Sequence, residues 1–116
     1  MGDELPAGIE RSTVASRLRR RRTELLALSV NAATARKPVA LDQQSVGRLS
    51  RQDALQQQAM ANAQETRRRQ ELARIDDAME RLNQGEYGWC YECGDPIAAK
   101  RIEIDPLAVL CVGCAR

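Results

Sequence analysis

The chain has 116 residues with a formal net charge of +2, four Cys and no His. That length allows one ordinary domain at most, and a chain with no Phe, one Trp and two Tyr has no large aromatic core. A charged fraction of 29% favours long exposed helices over a compact globule, and the small net charge excludes a polycation.

"MGDELPAG", residues 1–8, contains Pro and Gly and is expected to be a loose, flexible lead-in. From Ile9 to about Ala35 nothing breaks a helix. Ile9, Val14, Leu18, Leu25, Leu28 and Ala32 recur at helical spacings and mark one apolar face. This stretch also imitates a secretion signal, with "RLRRRR" at 17–22 followed by "LLALSVNAATA" at 25–35. Glu24 interrupts the join and polar residues dilute the apolar run, so export ranks well below a cytoplasmic location. No stretch approaches the length of a membrane span.

"RKPVALDQQS" interrupts the helix, because Pro38 disfavours helix at Lys37 and lacks a donor. A second helix is expected from near Asp42, a potential cap flanked by Leu41 and Val46, to Gln84, where Gly85 stops it. Leu72, Ile75, Met79 and Leu82 form a heptad seam that fades upstream into Gln58, Ala61 and Glu65. Two such helices joined by a short loop make an antiparallel coiled-coil hairpin over residues 9–84, with its tip near 36–47. Pairing about that loop places Leu25 and Leu28 near Leu49 to Leu55. The fold class is mainly α: a helical hairpin followed by a small C-terminal cysteine module at residues 85–116.

All four cysteines lie in that module, spaced Cys-x2-Cys-x17-Cys-x2-Cys. Cys90, Cys93, Cys111 and Cys114 therefore read as ligands of one structural Zn2+. Two Cys separated by two residues can aim both sulfurs at one ion from a tight turn. Gly94 and Gly113 are expected to help backbone N–H groups turn toward the thiolates. Four thiolates fill a tetrahedral shell and leave no open position for catalysis. The apolar residues of the module are too few to fold it by burial alone, so metal binding has to make up the deficit. "RIEID", residues 101–105, alternates and is expected to form a short strand ended by Pro106. A disulfide framework suits a secreted chain and ranks lower. A redox Cys-x-x-Cys of the thioredoxin kind needs a βαβ context that is not visible here.

Together with the preceding "RRRQELARIDDAMERLNQ", the segment "GEYGWCYECGDPIAAKRIEIDPLAVLCVGCAR" resembles the C-terminal part of the DksA/TraR family of C4 zinc-finger proteins. The Gly-Glu-Tyr-Gly lead-in, the Cys-x-x-Cys-Gly, the Lys-Arg-Ile before an acidic residue and Pro, and the closing Cys-x-x-Cys carry the likeness, which extends over about residues 40–116. "LDQQSVGRLSRQDALQQQAM" is similar to short members of the family. The resemblance implies a zinc-finger base beneath an antiparallel coiled coil. It also implies binding to bacterial RNA polymerase, not DNA, with the coiled coil entering the secondary channel and its tip acting near the active centre. DksA-type members carry Asp-x-x-Asp-x-Ala at that tip. Here Asp42 matches the first acid, Ser45 replaces the second and Gly47 replaces the Ala. Asp42 is equally a helix N-cap. Those members also continue past the last Cys into a helix that helps bind ppGpp, whereas this sequence stops at Arg116, so direct ppGpp coupling is not expected.

Two arginine clusters remain: Arg17, Arg19, Arg20, Arg21 and Arg22, and then Arg67, Arg68 and Arg69. Their plain reading is a solvated face with i,i+4 pairs such as Arg20 with Glu24. The functional reading is a basic belt that steers the rod to an acidic protein channel or holds phosphates. Few aromatics accompany the belt, so base stacking and sequence-specific DNA binding are not expected. With no His, no open metal position and no Gly-rich phosphate loop, the chain is not expected to be an enzyme. A monomeric transcription regulator acting on RNA polymerase is the leading reading. A nucleic-acid-binding C4 finger and a redox-responsive zinc adaptor are the alternatives.

Overall fold

A computed structural model describes residues 5–35 and 48–115. Its helices are α1 (Arg11–Ala35), α2 (Arg48–Gln84) and α3 (Ala99–Ile104). Among the described residues the only β pairing is an isolated antiparallel bridge between Trp89 and Pro96. The expected class holds: two long helices in a hairpin, then a four-cysteine module. The expected tip residues Asp42, Ser45 and Gly47 lie outside the described residues.

The chain divides into two compact units, Met1–Arg22 with Ala73–Arg116, and Thr23–Leu72. The first unit joins the finger to both adjoining helix segments. Val14 and Leu18 of α1, Ile75, Ala78 and Leu82 of α2, and Tyr87, Ile97 and Ile102 of the module are its buried apolar residues, with Cys90. Full burial of a Leu or Ile side chain contributes roughly 1.5–3 kcal/mol. The α1–α2 order is antiparallel. Arg11 donates to the Leu82 carbonyl, and Arg22 Nε meets Asp76 Oδ1 at 3.0 Å.

Helix α2 ends as its sequence dictates. Gly85 adopts φ 74°, which only Gly takes without strain. The Gly85 N–H then donates to the Leu82 carbonyl (3.3 Å) and the Glu86 N–H to the Arg81 carbonyl (2.8 Å), closing a Schellman cap.

Two local expectations need correction here. Residues 101–105 are not a strand, because α3 takes Ala99–Ile104. The stretch Ala98–Arg101 is rich in helix formers. A strand would place Ile102 and Ile104 on one face, whereas the helical turn separates them: Ile102 is 3% exposed and Ile104 84%. The Asp105 carboxylate then accepts from the Leu107 N–H at 3.1 Å and closes the turn. Nor is the lead-in loose over residues 5–8, where Pro6 is buried. A Cβ on Gly88, which has φ 85°, would come within 2.9 Å of both Pro6 Cδ and Ile9 Cδ1. Gly88 is therefore a notch that seats the N-terminal segment, and α1 starts at Arg11 instead of Ile9.

In the Thr23–Leu72 unit the helices meet mostly through polar groups. Ser29 Oγ donates to Glu65 Oε2 at 3.2 Å, and Arg68 reaches Ser29 and Glu65 at 3.2 and 2.9 Å. This register opposes Ser29 to Glu65 and Arg68, not to the Leu49–Leu55 stretch. Leu28 is 48% exposed and Leu55 71%. The shorter register assumed that leucines would pair, but the Glu65 cluster sets the alignment instead.

Candidate metal centre

Each cysteine pair sits on its own backbone turn. After Cys90, the Gly94 N–H returns to the Cys90 carbonyl at 2.9 Å, and Gly94 takes φ 77° to do so. The Cys90 N–H donates to the Asp95 carbonyl at 2.7 Å. At the second pair, the Cys114 and Ala115 N–H groups both donate to the Cys111 carbonyl, at 3.1 and 2.8 Å. Gly113, expected to share the role of Gly94, lies outside the left-handed region, and a Cβ there would meet only Cys111 Sγ, at 3.9 Å. The Tyr91 N–H to Val109 carbonyl bond, 2.8 Å, ties the first turn to the approach of the second.

These turns bring Cys90, Cys93, Cys111 and Cys114 together, with all four Sγ atoms within 4.8 Å of one another. Cys93 and Cys111 Sγ are 3.6 Å apart. Zn–S bonds of about 2.3 Å at tetrahedral angles put sulfurs about 3.8 Å apart, so the cluster has the right size. Cys90 is buried and Cys93 exposed.

The electrostatics of the cluster also fit a cation. Backbone N–H groups of Cys111, Cys93 and Glu92 aim at Cys90 and hold its thiol down at about 6. Two of the neighbouring thiols are raised beside it. Cys114 is pushed up to about 12 by its hydrogen bonds to Cys111, then Cys90 and Cys93. Cys93 is drawn down by the Asp95 N–H but raised on balance by the neighbouring sulfurs Cys111 and Cys90. Four soft donors that repel one another as thiolates form a site for a single zinc ion, closed and structural.

Sequence reasoning overlooked two residues that brace this site. The Tyr87 hydroxyl, on a ring 2% exposed, donates to the Pro106 carbonyl at 2.6 Å. Arg81, in the last turn of α2, donates to the Glu86 and Trp89 carbonyls. A basic residue four positions before the capping Gly was the available signal.

The arginine clusters divide. Arg19, Arg20 and Arg21 are exposed, Arg17 is half-buried, and Arg22 is paired with Asp76. Arg67 is exposed. Arg68 and Arg69 both pair with Glu65, at 2.9 and 3.3 Å, and the Arg68 hydrogen bond above all draws the Glu65 carboxyl below its ordinary range. Those two cations are committed within the hairpin.

The fold and site together define a C4 zinc-finger protein built on a helical hairpin. Residues 85–116 match the family model described as prokaryotic dksA/traR C4-type zinc finger. Over 46 residues the chain is 41% identical to the RNA polymerase-binding transcription factor DksA of Caulobacter vibrioides, a match covering 40% of this chain and 32% of that protein. The DksA of Haemophilus influenzae is 33% identical over 48 residues, 41% of this chain and 33% of that protein. The matches thus span about a third of those relatives' length. Among solved structures, transcription factor DksA2 from Pseudomonas aeruginosa aligns with a TM-score of 0.71 and 28% identity, covering 89% of this chain and 78% of that one. The chain thus carries a finger similar to those of the dksA/traR family, and its fold is similar to that of DksA2.

Proposed function

We propose that this protein regulates transcription by binding bacterial RNA polymerase, with its helical hairpin inserted in the enzyme's secondary channel. The observation that carries this reading is the DksA2 alignment, which extends over 89% of the chain. The likeness therefore includes the hairpin as well as the finger. The relatives' names describe transcription factors and no enzyme class, in keeping with a closed metal site that has a structural role. Exposed Arg19, Arg20, Arg21 and Arg67, with Arg17, supply positive charge for anchoring on an acidic protein surface. Asp42, Ser45 and Gly47 are assigned to the tip that acts on the polymerase. The protein works as a cytoplasmic monomer. No described helix is long and apolar enough to cross a membrane.

The test is capture of purified core RNA polymerase by the full chain, with and without DNA, beside a single-round transcription assay. Polymerase binding at micromolar concentration without DNA is the expected result. Tight, salt-sensitive binding to duplex DNA without polymerase binding would replace this reading with the nucleic-acid-binding one. Asp42→Asn keeps an N-cap acceptor, so it is expected to preserve polymerase binding and abolish the transcriptional effect. Full retained activity would leave Asp42 as a cap alone.

A further inference from the structure

Five contacts that shape the approach to Cys90 run through one residue. The Arg81 carbonyl accepts from the Glu86 N–H at 2.8 Å and the Tyr87 N–H at 3.2 Å. The Arg81 guanidinium donates through Nη2 to the Glu86 carbonyl at 3.3 Å and the Trp89 carbonyl at 3.0 Å. Its carbon centre also lies 5.8 Å from the centroid of the Tyr91 ring, within cation–π range. Trp89 and Tyr91 flank Cys90 on either side. Helix α2 thus grips the first metal-binding turn at the residue before the ligand and the residue after it.

We propose that Arg81 is a positioning residue for the zinc site, holding the Glu86–Tyr91 segment in the conformation that presents Cys90 to the metal. The N–H groups of Glu92 and Cys93 aim at the Cys90 sulfur from the same turn, so its orientation decides how many donors that thiolate keeps. Two carbonyl oxygens converging on one point repel each other unless a donor lies between them, and a forked guanidinium serves both. Charge acts in the same direction. Four thiolates around Zn2+ leave a formal charge of −2, which a fixed neighbouring cation stabilises. Groups outside the ligand shell that orient a metal ligand typically change metal affinity about 10–100-fold when removed. The proposal does not rest on polymerase binding.

The experiment uses the full chain and Arg81→Met, which keeps an apolar stem and loses both donors and the charge. Zinc affinity is read by competition with a chromogenic chelator. The tetrahedral thiolate spectrum of the Co2+-loaded protein reports on the ligand set. Arg81→Met is expected to bind zinc about 10–100-fold more weakly while keeping the wild-type Co2+ spectrum and, when zinc-loaded, wild-type helix content. Arg81→Lys, which keeps a charged donor, is expected to lose less. It carries the test alone if the Met variant does not fold, with affinity below wild type as the expected result. Zinc affinity within twofold of wild type in whichever variant folds overturns the proposal. So does a Lys variant weaker than the Met variant. A variant that lowers the thermal midpoint of zinc-stripped and zinc-loaded protein equally would make Arg81 an ordinary helix-end brace, and that also overturns it.

Discussion

The Thr23–Leu72 unit and the unit made of Met1–Arg22 with Ala73–Arg116 share the same two helices but are stabilised differently. Of the ten buried apolar residues among those described, only Leu25 falls within 23–72. The larger unit adds a four-sulfur cluster to its apolar core. The smaller one relies on Leu25 and on Glu65 with its Ser29, Arg68 and Arg69 partners. One long helix can thus belong to a rigid core at one end and be sparsely supported at the other.

The sharpest way to break this contrast is to remove the metal. Zinc binding is worth about 10–16 kcal/mol in finger peptides, so chelation or Cys111→Ser is expected to unfold residues 85–115. Elemental analysis should return one zinc per chain before chelation. Hydrogen exchange should then report lost protection in the finger and the adjoining end of α2, with far less change in 23–72. Equal loss in both units would erase the distinction.

A second test compares single side chains. Leu18→Ala or Ile75→Ala empties a fully buried position (1% and 0% exposed) and should cost about 2–5 kcal/mol in urea unfolding. Leu55→Ala, at a residue 71% exposed, should stay within about 0.5 kcal/mol of wild type.

Tyr87 gives a smaller effect with a pH signature. Burial raises its phenol to about 12. A group whose folded value lies above its unfolded value contributes stability that is complete below the unfolded value of about 10 and is lost as pH rises through about 12. Wild type should therefore lose stability across that window, monitored by tyrosine absorbance and circular dichroism. Tyr87→Phe should flatten that limb and cost about 1 kcal/mol at neutral pH through the lost bond to Pro106.

A last predicted difference separates the two cysteine turns. Gly94→Ala should cost about 1–2 kcal/mol, because its φ of 77° is strained for any residue with a Cβ. Gly113→Ala should be close to neutral, since an added methyl there has room. Thermal unfolding of the zinc-loaded variants measures both.

The cysteine spacing, the α2 stop at Gly85 and the seam through Ile75 and Leu82 were legible because each depends on residues close in sequence. Ile102 and Ile104 misled, because two β-branched residues at i and i+2 suit a strand, while the short helix buries Ile102 and leaves Ile104 exposed. The hairpin register was not legible either. Leucines offered a pairing, but the partners of Ser29 lie 36 and 39 residues away in the chain. The docking of Pro6 and Ile9 against Gly88 carries no local signal, since a glycine announces its turn but not the side chains that will fill its missing volume. Arg68 and Arg69 looked like part of a free basic belt until Glu65 was found between them.

That glycine notch has a consequence for the order of events on the ribosome. The segment that fills it is made well before the notch itself. At roughly 5–20 residues per second, about 80 residues separate the two by on the order of 4–16 s. During that interval Pro6 and Ile9 have no seat, and α1 lacks the Ile75, Ala78 and Leu82 side chains that complete its unit. Assembly of the base therefore waits for that later segment and joins two stretches about 80 residues apart in the chain. A chain halted before Gly88 would hold its helices without an anchor.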